Sequence, residues 1–473
     1  MNTIPYNFGI AALSRLLLGG ISLIIVGFLT RNLGPAGYGQ YSLILAYLYI
    51  FSSLADMGLN TILVREISRD GADEKYISDN IFTLRLVLIV GFCLIGIFLA
   101  LTLNYPIEVK FGIAIASIYA VLSSLGQVMI GIFQKYLRIY FVSLADVIAR
   151  AVQLAIVLVL VLTKPTLLNF IWAVVLSEVA HFALIFFFSR RIIKVKMEFD
   201  LKYWRKIFVT ALPIAISLVF VLLYFKMDTV LLSLMKPAYD VGVYSAAYKV
   251  LEAIIFLPAL YIGLVMPVLS RHAFGNREEF LKAYRRSFDV LAIFAIPIMC
   301  YLYLRAADII NLIGGRDFGQ SVGVLKVLSV AIMLIFFGNL AGNALVALNL
   351  QKKGVWVYMV GAVFNVGANL VLIPRYSFMA TAWTTVLTEL LITFLLFWLI
   401  KKQTQATVRF SIAVKSILAA AITCLALSFG HFHFIVFSLL SLVYFPILYL
   451  FGGFTIDDFK TMLMLRPPRP VIE

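Results

Sequence analysis

Charge is scarce in this sequence. Asp, Glu, Lys and Arg make up 13% of its 473 residues, against 63% hydrophobic residues and a mean hydropathy of +1.02. A water-soluble domain is not built from such a composition. Alternating ten-residue strand patterns are also missing, which excludes a transmembrane barrel. The three cysteines, Cys93, Cys300 and Cys424, fall inside apolar runs with no CxxC or Cys/His cluster, so neither a disulfide framework nor a zinc site is expected. His181 and His272 stand alone, and His431 and His433 flank no carboxylate or thiol cluster, so no metal is expected. The glycine-rich stretch RNLGPAGYGQY, residues 31–41, has neither GxxxxGK[ST] nor a GxGxxG after a strand. It reads as a tight interhelical turn, with Tyr38 and Tyr41 as aromatic anchors at the membrane interface. No cofactor is expected.

What the sequence does have is apolar runs of about 18 to 27 residues, long enough to cross a hydrocarbon core of roughly 30 Å as helices. The fold class is an all-α integral membrane protein. Turn and charge punctuation gives fourteen spans: 8–30, 39–62, 80–103, 109–133, 141–163, 167–189, 207–234, 240–267, 283–304, 319–348, 354–373, 377–400, 411–430 and 432–451. The first run has no basic residue before it and no small-residue cleavage pattern after it, and reads as a retained helix rather than a signal peptide.

The formal net charge is +16, from 39 Lys and Arg against 23 Asp and Glu. It sits in short loops, which points to anionic lipid headgroups and not to nucleic acid. With a cytoplasmic N-terminus, 25 basic residues lie in inside loops and tail, and seven outside. This bias predicts both termini in the cytoplasm of a plasma membrane. With no loop longer than about seventeen residues, a soluble catalytic domain has no place to sit, and a transporter rather than an enzyme is expected.

The chain also repeats itself. A shift of 203 positions lays Gly39-Gln40-Tyr41-Ser42 over Gly242-Val243-Tyr244-Ser245, each at the start of the second span of a six-span set. The expected organisation is a lobe over 1–195, a basic cytoplasmic loop over 196–206, a second lobe over 207–405, two further spans over 406–455 and a cytoplasmic tail over 456–473. The two six-helix lobes would be related by an axis along the membrane normal, a transporter plan.

The run LTRNLGPAGYGQYS followed by LADMGLN resembles the N-terminal signature of the polysaccharide biosynthesis transporter family. That family includes O-antigen flippases and lies within the multidrug/oligosaccharidyl-lipid/polysaccharide superfamily. MDTVLLSLMKPAYDVGVYSAAYKVLEAI and NLIGGRDFGQSVGVLKVLS extend the resemblance into the second half. It implies two lobes around a central cavity that opens alternately to either side. It further implies transport of a polyprenyl-diphosphate-linked oligosaccharide to the outer leaflet, alongside other polysaccharide-assembly proteins. The rivals are a drug or cation exporter on the same scaffold, a lipid II flippase, and an integral membrane enzyme such as a glycosyltransferase.

A charge at mid-bilayer costs about 2.5–3.5 kcal/mol on insertion scales, so each one in a span calls for a partner or a watery cavity. Asp146 and Arg150 are four apart, and Lys249 and Glu252 three apart; each couple is either an internal ion pair or part of a ligand site. Arg15, Arg150, Lys249 and Lys226 are the candidates for a cationic site holding a diphosphate. Glu178 and Glu389, with no basic neighbour one turn away, are candidates for proton or ion coupling. Asn339, Asn343, Asn365 and Asn369 form two i, i+4 amide faces that either contact sugar hydroxyls or join helices. Arg85, Asp289, Lys326 and Lys415 read as interface residues.

Overall fold

The computed structural model describes residues 3–405, 407–428 and 433–454, and the side chains of 3–13, 16 and 213–225 lie outside that description. His431 and the basic tail residues Lys460, Arg466 and Arg469 also lie outside it. Among the described residues all regular structure is helical. Among the described residues nine helices are long and apolar enough to cross a membrane, and two shorter apolar stretches, Ser411–Leu427 and Phe434–Leu450, follow them. The chain is a multi-pass membrane protein. Large apolar side chains such as Leu94, Phe98, Leu162 and Phe394 point outward, as lipid rather than water requires.

The helices are α1 (Thr3–Asp56), α2 (Leu59–Ile67), α3 (Glu74–Thr102), α4 (Ile107–Lys135), α5 (Tyr140–Thr163) and α6 (Leu167–Ser189). They continue as α7 (Leu201–Met235), α8 (Ala238–Ile254), α9 (Phe256–His272), α10 (Arg277–Leu304), α11 (Ala306–Gly314) and α12 (Ser321–Ala347). The last are α13 (Gln351–Thr404), α14 (Ser411–Ser428), α15 (Phe434–Leu440) and α16 (Tyr444–Leu450). Within the described residues the fourteen expected spans fall on helix, but two pairs of them share one helix. α1 and α13 are each 54 residues long, broken at Gly34 (φ 65) and at Ser377 (φ 49, ψ −134) respectively. Glycine takes a positive φ freely, whereas Ser377 is strained there and is held by donating its hydroxyl to the Asp240 carboxylate.

The structure corrects one reading of the glycine-rich stretch. Tyr38 and Tyr41 are buried, not interfacial: Tyr38 stacks on Tyr41 and meets the edge of Phe318 at 6.1 Å. The cause is the glycine beside them. A Cβ on Gly39 would run into the carbonyl of Ala238 and the amide of Gly242, and one on Gly242 would strike the carbonyl of Pro35 and the amide of Gly39. The two glycines that the internal repeat aligns therefore meet each other, backbone to backbone, where α1 crosses α8. Small residues at such a crossing let membrane helices approach closely and gain dispersion contact.

A second device fixes the segment between α6 and α7. Its alternate amides, Lys196, Glu198 and Asp200, donate to Asp79 Oδ1 (2.8 Å), Thr83 Oγ1 (2.9 Å) and Asn80 Oδ1 (3.0 Å) on α3. Asp200 then caps α7 by accepting from the amides of Lys202 and Tyr203, and accepts the Tyr76 hydroxyl at 2.5 Å. An extended strand with its amides turned one way is thus strapped along a helix.

By compactness the chain divides into two units. The first comprises Met1–Ala253, Ile310–Val324 and Val355–Thr388; the second comprises Ile254–Ile309, Leu325–Gly354 and Glu389–Glu473. In the first, Leu63, Ile81, Met129, Ile132, Phe133 and Ile185 form a dry core between α2, α3, α4 and α6. In the second, Tyr444 donates to the carbonyl of Ile293 at 3.0 Å and Tyr301 pairs with Ser438 at 2.6 Å, which tie α16 and α15 to α10.

Two outcomes follow from these contacts. Gly242→Ala places a methyl group against backbone that cannot rotate away, and is expected to cost about 1–3 kcal/mol. Thermal unfolding of the detergent-purified protein measures this, with Gly19→Ala, which meets nothing within 4 Å, as the neutral reference. The Tyr76 hydroxyl, chiefly, holds the Asp200 carboxyl below the usual carboxylate range. A depressed carboxyl contributes stability above its unfolded pKa and loses it as pH falls through the folded one. Hydrogen exchange at the amides of Lys202 and Tyr203, which donate to this carboxylate, should therefore be slow at neutral pH and lose protection as the pH falls below the ordinary carboxylate range; a pH profile left unchanged by Asp200→Asn would refute the role of Asp200.

Candidate cationic site

Lys226 of α7 reaches the Glu252 carboxylate of α8 from one side, and Lys249, one turn before Glu252, donates to its other oxygen at 2.8 Å. Two ammonium groups thus share one carboxylate, and the cluster carries an excess positive charge. All three side chains are partly exposed. The Lys226 ammonium also lies over the rings of Tyr248 (5.3 Å) and Tyr49 (5.8 Å), whose negative faces help to hold it without neutralising it. The sequence placed Lys226 and Lys249 separately; the helix period and the turn between α7 and α8 bring them to the same carboxylate.

Arg150 on α5 makes no ion pair among the described residues. Its guanidinium donates to the neutral amide oxygen of the buried Gln153 at 2.8 Å. Asp146, one turn earlier, turns instead to His181 of α6, whose Nε2 is 3.1 Å away. Glu178 Oε1 lies 3.2 Å from the other ring nitrogen, Nδ1. The expected Asp146–Arg150 couple is therefore not formed, and His181 does not stand alone. Glu178 does have a basic neighbour one turn away, because His181 is at i+3. Tyr119 of α4 is within electrostatic reach of Arg150, Glu178 and Tyr49. Tyr49 in turn lies under the Lys226 ammonium, so tyrosines neighbour both cationic groups.

Asp228 of α7, 2% exposed, is a group the sequence reading did not place at a site. It accepts from Asn369 at 2.8 Å, Thr385 at 3.0 Å and Tyr244 at 3.2 Å, and no cation is among its bonding partners. Asn369 bonds Asn365 in turn, and Asn365 reaches Thr388. Both amides are fully buried, so of the two expected readings of this i, i+4 face, helix joining is the one the geometry favours. Asn343 donates to Asn339 at 3.0 Å within α12, and both remain partly exposed. Glu389, 4% exposed on α13, has no hydrogen-bond or ion-pair partner among the described residues. Arg15 is exposed on α1 and likewise has no ion pair among them.

Arg85 requires a correction. Expected at the membrane interface, it is 1% exposed, paired with Asp56 and 3.3 Å from Ser124 Oγ. The left-handed residues Met57 (φ 45) and Gly58 (φ 75) end α1 there, and Asp56 also accepts the Gly58 amide at 3.2 Å. The LADMGLN motif is therefore a helix break that delivers a carboxylate to a buried guanidinium. Lys415 donates to the carbonyl of Gly452 and Lys326 lies over Tyr303; Asp289 is partly buried, with Oδ1 left without a hydrogen bond among the described residues.

Comparison with known proteins agrees with this architecture. A family model described as polysaccharide biosynthesis protein matches residues 6–273, and one described as MatE matches residues 213–371. A protein of Shigella flexneri named as an O-antigen transporter is 24% identical over 396 residues, 80% of this chain and 93% of that protein. Among solved structures, the lipid II flippase MurJ in an inward closed conformation superposes with a TM-score of 0.79 at 15% identity, over 97% of this chain and 99% of that one. An inward-facing multidrug resistance MATE family transporter gives 0.68 at 16% identity, over 83% and 95%.

Removing Asp56 leaves a buried guanidinium unanswered. Asp56→Asn is expected to lower stability by about 3–5 kcal/mol, and the double variant Asp56→Asn, Arg85→Gln to recover most of it. Thermal unfolding of both decides this; a double variant no better than the single one would show that the pair is not what holds the site.

Proposed function

This chain belongs to the polysaccharide biosynthesis protein family of membrane transporters, and from that premise we propose that it flips an isoprenoid-diphosphate-linked oligosaccharide across the plasma membrane by alternating access. The observation that carries this reading is the pair Lys226 and Lys249 on a single carboxylate, Glu252. A diphosphate is the anion such an excess charge suits, and Arg150, held only by a neutral amide, offers a bidentate fork to the same headgroup. The glycan would lie against the tyrosines beside these cations, with Asn339 and Asn343 as sugar contacts, and Arg15 would take part at the cytoplasmic entrance. The isoprenoid tail would stay in lipid.

In this reading the lobes 1–195 and 207–405 rock against each other, with both termini in the cytoplasm and other polysaccharide-assembly proteins nearby. Pro267 and Pro297, inside α9 and α10, would serve as flex points. The chain would act as a transporter and not as an enzyme. Coupling would fall to Asp228 and Glu389. A buried carboxylate with no cation beside it is carried across a cycle only with a proton or a small cation bound. A drug or cation exporter is disfavoured, since a cationic solute would meet two lysines and an arginine. A lipid II flippase shares the diphosphate chemistry and differs only in the glycan.

The test is to delete the gene and measure lipid-linked oligosaccharide on each leaflet during complementation. Wild type should clear the cytoplasmic leaflet. The variant Lys226→Gln, Lys249→Gln, Glu252→Gln, which removes the excess charge without stranding a carboxylate, should leave at least about tenfold more substrate there at equal protein level. Normal clearance by that variant would sink the cationic site, and no accumulation in the deletion strain would sink the glycolipid reading.

A further inference from the structure

Around His181 the geometry requires a proton that the flipping mechanism leaves without a role. Its two ring nitrogens face two carboxylates, Nδ1 to Glu178 Oε1 at 3.2 Å and Nε2 to Asp146 Oδ1 at 3.1 Å. The second contact is one of charge rather than of hydrogen-bond alignment, since Nε2 makes no hydrogen bond of good direction. A neutral imidazole has one N–H and one lone pair. Whichever nitrogen keeps the lone pair would set it against a carboxylate oxygen at little more than 3 Å, in a site where His181 is buried. The contacts are attractive only if the ring carries both protons or one carboxyl carries its own.

The neighbouring groups make that proton consequential. Arg150 and Glu178 are both within electrostatic reach of Tyr119 on α4, and Arg150 within reach of Tyr41 on α1. The charged groups that face His181 are thus Asp146 from α5 and Glu178 from α6; Arg150 follows Asp146 by one turn on α5, and Tyr119 and Tyr41 are the titratable groups of α4 and α1 that it reaches. Asp146 and Arg150 are one helical turn apart, the spacing at which they ordinarily pair. They do not pair here, because Asp146 is engaged by His181 and Arg150 rests on Gln153.

We propose that Asp146, His181 and Glu178 form a proton-held triad that governs whether Arg150 is free to bind an anion. With the proton present, His181 keeps Asp146, and the guanidinium is open to a diphosphate. When the proton leaves, the neutral ring releases Asp146, the carboxylate takes Arg150 one turn away, and the anion loses its partner. Proton binding and anion binding therefore support each other by linkage. This rests on the assignment of Arg150 to the diphosphate site and adds its regulation.

Two measurements on the full chain in lipid nanodiscs test it. Nitrogen-15 histidine NMR, assigned by difference against His181→Gln, should show an imidazolium at neutral pH that titrates to the neutral ring as the pH is raised and reverts to an ordinary imidazole in the Asp146→Asn, Glu178→Gln double variant. Binding of farnesyl diphosphate should weaken by about tenfold or more in wild type as that proton leaves. His181→Gln, which frees Asp146 permanently, should bind weakly at every pH, and Asp146→Asn, which frees Arg150 permanently, tightly at every pH. A neutral ring at pH 7, a His181→Gln profile that follows wild type, or an Asp146→Asn profile that keeps the wild-type pH dependence would overturn the switch. An imidazolium that titrates as expected while no variant binds the diphosphate would overturn the link to Arg150 and the headgroup assignment together, leaving the proton site itself standing.

Discussion

A charge in hydrocarbon must be answered by another charge, by water or by a ligand, and most of what is specific in this structure follows from how each charge is answered. Arg85 is answered by a carboxylate of its own, Asp56 at the end of α1, and the chain breaks at Met57 and Gly58 to bring that carboxylate in. Lys226 and Lys249 are answered by half, since two ammonium groups divide one Glu252. Among the described residues Arg150 is answered only by a neutral amide. The cation with a carboxylate of its own is buried, whereas Lys226, Lys249 and Arg150 stay partly exposed, so in the proposed cycle the less the protein neutralises a cation, the more it would leave for a solute.

The helices can hold such charges in register because the backbone approaches closely where rigidity is needed. Gly39 and Gly242 bring α1 and α8 together without side chains between them, and Ser321 of α12 donates to the carbonyl of Val243 at 2.7 Å beside that crossing. A contact of backbone on backbone has little tolerance, since no rotamer can absorb a misfit. The same crossing sets the start of α8, and Lys249 and Glu252 lie two and three turns further along it. The spacing between the charged cluster and the crossing is therefore fixed by helix geometry alone.

The span count, the all-helical class and the membrane setting were legible in the sequence because hydropathy and the inside bias of lysine and arginine report them directly. Pair spacing within a helix was legible too: Lys249 and Glu252 meet as their i, i+3 interval implies. What was not legible is which side chains meet between helices. Arg85 and Asp56 are 29 positions apart with no periodic relation, and Asp228 finds Asn369 and Thr385 across the chain. The i, i+4 interval of Asp146 and Arg150 misled, because a partner on α6 outcompetes the neighbour on α5. One signal was available and unused: the three-residue interval from Glu178 to His181 announces a shared face as plainly as the lysine pair does.

The placement of carboxylates beside each cationic group has a further consequence for a transporter. A site of bare arginines and lysines would bind a diphosphate tightly and release it slowly, and would repel itself when empty. In the proposed cycle Glu252 and Asp146 would reduce both problems, because a carboxylate that moves onto the cation would take the place of the departing anion. Release would then exchange one ion pair for another instead of stranding a charge in the membrane. Tight capture and prompt release would be reconciled by the difference between two pairings, which is small, rather than by the energy of either, which is large.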